Sequence, residues 1–226
     1  MKINIISLPR TGSSYLIKCL VYHTIKSDKF FSVSEPFNRA KNFSYTFEML
    51  EEKVQNSSFV IIKTQIFELY ENNFEIETWT NMFSYIITLV RKNIFEASLS
   101  RFISTKFGHW DKRDLTQTLY VEWEEFVNFV NQTLLWSEKV IATRSDKLIF
   151  YEDLSFKSNN DILLFKLPTK YLQRLDQYYK SEPYLKKEKV ILNYKEIKDI
   201  TNSYIEGMAF SNFCVQEGKL IIANRT

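Results

Sequence analysis

The sequence predicts an α/β fold in which a mostly parallel β-sheet is covered by helices on both faces. The first observation is that short, β-branched apolar runs alternate along the chain with longer segments at helical spacing. The second is that 226 residues contain only four Gly and four Pro, which leaves few breaks in regular structure. Parallel neighbours need long crossover connections, and the intervening helices supply them.

The elements follow one another from the N-terminus. Extended, buried runs predict strands at 2–9, 30–35, 59–67, 84–91 and 147–154, with a further short strand in 218–226. Apolar residues at helical spacing predict helices at 13–25, 43–55, 94–106, 116–141, 162–175 and 195–204. The segment from Phe107 to Asp114 contains Gly108 and predicts a loop.

Composition limits the class of protein. With 45% hydrophobic and 25% charged residues, the chain is expected to form a single soluble globular domain over 1–226. A net charge of +3 is too small to indicate nucleic-acid binding but suits a small anionic ligand. No apolar run approaches the ~18 residues that span a bilayer, and no signal peptide is evident, so we expect a cytoplasmic, intracellular protein.

The segment SLPRTGSSY at 7–15 follows the first predicted strand and opens a helix. In that context backbone N–H groups and the helix N-terminus form an anion site, and Gly12 permits close approach of the backbone. Arg10 adds a permanent cation, while Ser13 and Ser14 add hydroxyl donors. The alternative is an ordinary strand-to-helix turn with a capping Ser and a surface Arg. It is not a Walker A loop, which needs a second glycine and a lysine.

The motif PRTGSSY resembles the 5'-phosphosulfate loop of sulfotransferases that use 3'-phosphoadenosine-5'-phosphosulfate (PAPS) as co-substrate. The resemblance implies a P-loop-type three-layer sandwich and transfer of a sulfuryl group to an acceptor hydroxyl. It also implies that the loop binds the donor through Arg10, Thr11, Gly12, Ser13, Ser14 and Tyr15.

A second match is LVRKNIFEASLSRF at 89–102, where a predicted strand ends in Arg91 and runs into a helix with serines. It is similar to the family's 3'-phosphate site, which implies binding by Arg91 and Ser100, with Ser98 as the alternative because the spacing to Ser100 is one residue long. Without the resemblance, these residues would be a surface Arg and solvated helix positions.

A third match is IIKTQ at 61–65, which resembles the Lys-Thr-His segment of cytosolic sulfotransferases, whose His is the general base. Gln65 stands at that position and cannot accept a proton at neutral pH. The favoured base is Glu35 in SEPF, because carbohydrate and some bacterial members carry a glutamate in this region; its alternative is a surface charge. Lys63 and Arg10 would neutralise charge on the leaving oxygen.

The remaining matches and gaps concern the second half of the chain. FYEDL at 150–154 and NYKEI at 193–197 resemble family segments that we interpret as mainly structural. The segments that bind the acceptor are expected within 104–114 and within 155–226. His109, in the first of these segments, is a minor candidate for a residue that lines the acceptor site. A saccharide is the favoured acceptor, because the glutamate base resembles those members, and no metal is expected because a sulfuryl group carries less charge than a phosphoryl group.

Two rival functions stay open at the level of sequence. One is a nucleotide or small-molecule kinase with a degenerate P-loop. The other is a catalytically inactive, sulfotransferase-like binding module, which Gln65 makes conceivable.

Overall fold

The computed structural model describes residues 1–24, 29–38, 45–107, 118–154 and 187–223. The chain divides into two compact units. The first unit comprises Met1–Val90 and Lys139–Ser181, and the second comprises Arg91–Glu138 and Glu182–Thr226. The expectation of one domain over 1–226 stays a prediction.

The first unit contains a parallel sheet of five strands. They are β1 (Lys2–Ser7), β2 (Phe30–Ser34), β3 (Phe59–Gln65), β4 (Tyr85–Val90) and β5 (Lys147–Phe150). The strand order is β2-β3-β1-β4-β5, and every neighbouring pair is parallel. The strands that follow β1 lie first on one side of it, as β2 and β3, and then on the other side, as β4 and β5. This reversal at β1 is the topological switch point of the sheet. In such sheets ligands bind at the switch point, beyond the carboxyl ends of the strands.

The strands are buried because apolar residues face both sides of the sheet. All seven residues of β3 are buried, as are all those of β1 except Lys2. Helix α1 (Ser13–His23) packs Leu16 and Leu20 into a core that also contains Ile3, Ile5 and Ile61. Full burial of such a side chain stabilises the fold by about 1.5–3 kcal/mol, and this continuous burial is what a helix-covered parallel sheet requires.

In the described residues before β4, the first unit has three helices besides α1. They are α2 (Phe47–Asn56), α3 (Ile66–Glu71) and α4 (Ile76–Asn81). The strand predicted for 59–67 ends at Gln65, so the prediction was wrong for its last two residues. Helix α3 begins there because the Gln65 backbone N–H donates to the Glu68 carboxylate at 3.4 Å, one bond of a capping box. Helix α4 was not predicted.

An aromatic cluster in the first unit supports the turn after β2. The Phe37 ring is 3% exposed, and its centroid lies 4.7 Å from that of Phe74 and 5.2 Å from that of Trp79. Such pairs contribute about 0.5–1.5 kcal/mol each beyond their buried area. The turn two residues before Phe37 is therefore tied to the core.

The second unit is mainly helical. It contains α5 (Ile94–Phe107), most of α6 (Trp123–Ala142), α7 (Tyr194–Ile205) and an antiparallel hairpin of β6 (Phe213–Gln216) and β7 (Lys219–Ile222). Helices 94–106 and 195–204 and the strand within 218–226 are confirmed to within a few residues, whereas β6 was not predicted.

Further boundaries also differ from the sequence predictions. The helix predicted from 116 begins at Trp123, because Leu119 instead pairs with Ile191 in an isolated β-bridge. The strand predicted for 147–154 ends at Phe150, where a 3₁₀ turn over Tyr151–Asp153 follows. Phe107, predicted to open a loop, is the last residue of α5. The predicted helix 162–175 lies outside the described residues.

Across the described parts of the chain, none of the helices combines the length and the apolar character that a bilayer crossing demands.

Candidate active site

The loop after β1 has the backbone shape of an anion-binding turn. Arg10 and Gly12 both adopt the left-handed region, with φ of 65° and 82°. Gly12 is the N-cap of α1, and no acidic residue lies in the first turn of that helix. Thr11, fully buried between them, closes the turn by donating its hydroxyl to the Leu8 carbonyl at 2.7 Å. Alternating conformations of this kind direct successive N–H groups into one concavity that suits an anion.

The other predicted binding residues of the loop have different surroundings. Ser13 is 2% exposed, whereas Ser14 is exposed on the first turn of α1. The Ser14 hydroxyl accepts a hydrogen bond from Lys63 Nζ at 3.2 Å. Tyr15 is buried in the core beside the sheet. Donor binding by these side chains stays a prediction.

Lys63 links the loop to the end of β2. It lies on β3 between Ile5 of β1 and Ser34 of β2, and its side chain is only 2% exposed. Its ammonium donates to Ser14 and forms an ion pair with Glu35 Oε1. A buried ammonium is stable only when it is paired and hydrogen-bonded, so these contacts explain how the cation is kept at the carboxyl edge of the sheet.

Glu35 directly follows β2 and has a strained backbone. Its φ of 53° is in the left-handed region, where a residue with a side chain costs about 1–3 kcal/mol. Its N–H donates to the Lys63 carbonyl at 2.7 Å, which continues the hydrogen bonding of β2 and β3 past the end of the strand. Its side chain is 17% exposed and ion-paired. Glu35 is therefore not a solvated surface charge.

Two amide side chains also hold the Glu35 carboxylate. Gln65 Nε2 donates to Oε1 at 2.6 Å, and Asn38 Nδ2 donates to Oε2 at 3.2 Å. The sequence indicated that Gln65 cannot act as a base, but not that it binds the candidate base. Asn38 carried no signal that sequence reasoning could use, because its role depends on the turn that Pro36 and Phe37 form.

The predicted 3'-phosphate residues lie in the second unit. The Arg91 guanidinium is 3.6 Å from Glu96 Oε2, and its side chain is 13% exposed. Ser98 is fully buried and donates its hydroxyl to the Ile94 carbonyl at 2.8 Å, and Ser100 is 4% exposed. Residues two positions apart on a helix point about 200° apart, so the two serines face different sides of α5. Phosphate binding by any of these residues stays a prediction.

A buried charge cluster around Glu96 was not predicted from the sequence. Lys187 Nζ lies 2.5 Å from Glu96 Oε2, and the Tyr194 hydroxyl donates to Oε1 at 2.5 Å. Burial raises the pKa of Glu96, but the Lys187 charge, the hydrogen bonds from Lys187 and Tyr194 and the Arg91 charge outweigh it, so the pKa lies below its ordinary value. Burial, then the hydrogen bond to Glu96 and its charge, raise the pKa of Tyr194.

Some predicted functional segments lie wholly or partly outside the described residues. The acceptor segment 104–114 is described only to Phe107, so His109 lies outside the described residues, as does 155–186. In the ranges that are described, no three His, Cys, Asp or Glu side chains are grouped so that they could hold a metal ion.

No protein-family model matches the sequence, and the search of curated proteins returns no match. Solved structures do match. A sulfotransferase from Alicyclobacillus acidocaldarius aligns with a TM-score of 0.50 and 11% identity over 90% of each chain. Mouse sulfotransferase SULT7A1 complexed with PAP aligns with a TM-score of 0.41 and 15% identity over 95% of this chain and 69% of that one. The sulfotransferase domain from the curacin biosynthetic pathway gives 0.44 and 15% over 96% and 94%.

The comparison with the bacterial enzyme establishes the fold. The five-stranded parallel sheet flanked by helices is the predicted P-loop-type three-layer α/β sandwich, and this prediction is confirmed.

Proposed function

We propose that the chain is a sulfotransferase that moves a sulfuryl group from PAPS to an acceptor hydroxyl, with a saccharide as the favoured acceptor. One observation carries the proposal: Lys63 joins Ser14 of the anion-binding loop to Glu35. A cation, a carboxylate and a loop shaped for an anion thus meet at the switch point of the sheet. That combination suits transfer of an anionic group to a nucleophile that must lose a proton.

The loop would hold the 5'-phosphosulfate of the donor. Backbone N–H groups around Gly12 and the N-terminus of α1 supply preorganised donors, and Arg10 supplies a permanent positive charge. The resemblance of the segment after β4 to the family's 3'-phosphate site assigns that phosphate to Arg91, with Ser100 or Ser98. Because the Ser98 hydroxyl is already engaged with a helix carbonyl, we favour Ser100.

The reaction is an in-line displacement at sulfur. The acceptor oxygen forms a bond to sulfur while the bond from sulfur to the 5'-phosphate oxygen breaks, and 3',5'-bisphosphoadenosine leaves with the bonding electrons. Glu35 takes the proton of the attacking hydroxyl. Lys63 and Arg10 stabilise the charge that develops on the leaving oxygen. In this scheme Lys63 shifts its ammonium from the Glu35 carboxylate towards the transferring group.

Ligand binding separates this proposal from a kinase. In calorimetric titrations we expect 3',5'-bisphosphoadenosine to bind and ATP with Mg²⁺ to bind more weakly, and we expect Arg91→Ala to weaken the bisphosphate at least tenfold by removing a bidentate phosphate contact. Lys92→Ala is the matched control, because it removes the neighbouring positive charge. Preference for ATP with Mg²⁺ would favour the kinase, and unchanged affinity of the Arg91 variant would refute the assignment of the 3' site.

Turnover separates the enzyme from an inactive binding module. The protein is incubated with [³⁵S]PAPS and a panel of free saccharides, simple alcohols, phenols and hydroxyl peptides, and label in the acceptor is counted. Transfer to a saccharide is the expected result. Bisphosphate binding with no transfer to any class of acceptor would favour the inactive module.

A further inference from the structure

Gln65 makes a contact that the chemistry assigned to Glu35 does not by itself require. Its side-chain amide donates to Glu35 Oε1 at 2.6 Å, and it is 7% exposed. The same oxygen accepts the Lys63 ammonium, while the other oxygen accepts Asn38 Nδ2. Each oxygen of the carboxylate therefore accepts a hydrogen bond from a neutral amide, and Oε1 also accepts one from the Lys63 ammonium.

The amide contact is not explained by the packing of Gln65. Its capping role at the start of α3 uses its backbone N–H, which donates to the Glu68 carboxylate, and its side-chain oxygen, which accepts from the Glu68 N–H, so the cap does not need the amide NH₂. The preceding residue of β3, Thr64, directs its hydroxyl to Asn4 Oδ1 at 3.1 Å and takes no part in the Glu35 network. The alternation of side chains along a strand places Gln65 on the same side as Lys63, so both reach the same carboxylate.

A neutral donor has a property that the lysine lacks. Lys63 also binds Ser14, and in the proposed function it moves towards the transferring group. Withdrawing the ammonium from a mostly buried carboxylate removes charge stabilisation and favours the protonated form, which could not act as a base. An amide is uncharged at every working pH and keeps its hydrogen bond while the lysine moves.

We infer that Gln65 is a positioning residue for Glu35: with Asn38, its amide keeps the carboxylate ionised and fixed in orientation when Lys63 turns to the donor. The role of Glu35 as a base rests on the proposed function. The part concerning ionisation of Glu35 does not, and it can be measured without an acceptor.

The test is an infrared titration of the Glu35 carboxyl in the full-length protein. The Glu35 band of each protein is obtained by subtracting, at each pH, the spectrum of the same protein with Glu35→Gln added. In Gln65→Leu we expect the midpoint of the Glu35 titration to rise by about one to two pH units, the equivalent of one hydrogen bond to a charged group. In Gln65→Glu, which is nearly isosteric, a second carboxylate opposes ionisation, so we expect a rise at least as large.

A matched control tests whether the shift depends on where the new charge is placed. Gln55→Glu introduces the same charge at an exposed site on α2 of the first unit and should leave the midpoint unchanged. If Gln65→Leu does not fold, Gln65→Met decides, because it likewise removes the amide donor and adds no charge. A midpoint equal to wild type in the neutral variant that folds would overturn the inference, because a purely structural Gln65 would not move it.

The same variants keep this inference separate from the proposed function. If the wild type transfers sulfuryl groups, the acid limb of its pH profile should move to higher pH in Gln65→Glu by as much as the infrared midpoint does. If the midpoint moves but PAPS is never turned over, Gln65 still controls the ionisation of Glu35 and the proposed function fails. A limb that stays in place while the midpoint moves would show that Glu35 is not the base.

Discussion

The two units each contain a mostly buried carboxylate, and the two carboxylates differ in their backbones. Glu35 in the first unit and Glu96 in the second are 17% and 19% exposed, and each pairs with a buried lysine. Each also accepts a neutral donor, which is an amide for Glu35 and a phenol for Glu96. Glu96 lies in the first turn of α5, where a negative charge is favourable, and its N–H donates to Asn93 Oδ1 at 2.9 Å. Glu35 instead has a left-handed φ of 53°.

The difference in backbone is consistent with the proposal that Glu35 takes part in a reaction while Glu96 stabilises the fold. Glu96 lies in the first turn of a helix, where a negative charge is favourable, and its lowered pKa shows that its ion pairs and hydrogen bonds outweigh the cost of burial. The strain at Glu35 costs about 1–3 kcal/mol and persists because the surroundings enforce it. Phe37, packed against Phe74 and Trp79, offers an offset of similar size. Strain of this kind concentrates at functional sites.

The largest expected effect is on activity at Glu35. In Glu35→Gln, the amide keeps the shape of the side chain but cannot take a proton, so we expect kcat for sulfuryl transfer to fall by about 10²–10⁴-fold. Transfer of label from [³⁵S]PAPS measures the rate. Affinity for 3',5'-bisphosphoadenosine, measured by calorimetry, should not change beyond the error of the titration.

Glu52→Gln makes the identical chemical change at an exposed position of α2 and should retain full activity. A Glu35 variant that kept more than a tenth of the wild-type rate would end the contrast between the two carboxylates. Glu35 would then be a structural partner of Lys63, as Glu96 is of Lys187.

The next effect is on stability at Glu96. Glu96→Gln leaves the ammonium of Lys187, whose side chain is 10% exposed, without its ion-pair partner. We expect the free energy of unfolding to fall by about 3 kcal/mol, as happens when one member of a buried pair is removed. Urea unfolding followed by circular dichroism measures the change. Glu125→Gln is the control, because Glu125 pairs with Lys106 at the surface, where such pairs contribute about 0–1 kcal/mol.

The pH dependence of the same variant gives a second measurement. Since the pKa of Glu96 is lowered in the folded state, its stabilisation is complete above the ordinary value of 4.5 and is lost as the pH falls through the folded pKa. The advantage of the wild type over Glu96→Gln should therefore be full at neutral pH and shrink below about pH 4.5. An advantage that stayed constant into strong acid would contradict the lowered pKa.

Sequence reasoning predicted the strands of the sheet better than the contacts between side chains. The parallel strands were predictable because burial on both faces gives β1 and β3 continuous apolar runs. Glu35 and Lys63 were proposed from the resemblance of SEPF and IIKTQ to family segments, and the position of Glu35 at the end of a predicted strand supported its choice. Gln65 as a partner of Glu35, and Lys187 as a partner of Glu96, were not predictable, because the paired residues are 30 and 91 positions apart along the chain. Their contacts depend on tertiary packing, which no local period encodes.

The smallest expected effect concerns the neutral donor of the second unit. Tyr194→Phe removes only the hydroxyl that donates to Glu96, so we expect a loss of about 1.5 kcal/mol in urea unfolding at neutral pH, typical of a hydrogen bond to a charged group. Because the pKa of Tyr194 is raised in the folded state, the wild-type advantage should be present below about pH 10 and decline above it, where the unfolded tyrosine ionises. Tyr120→Phe, at a half-exposed tyrosine of the same unit, should change neither quantity. A Tyr194 variant as stable as the wild type would mean that the charges of Lys187 and Arg91 hold Glu96 without help from the phenol, and the parallel between the phenol of Tyr194 and the amide of Gln65 would fail.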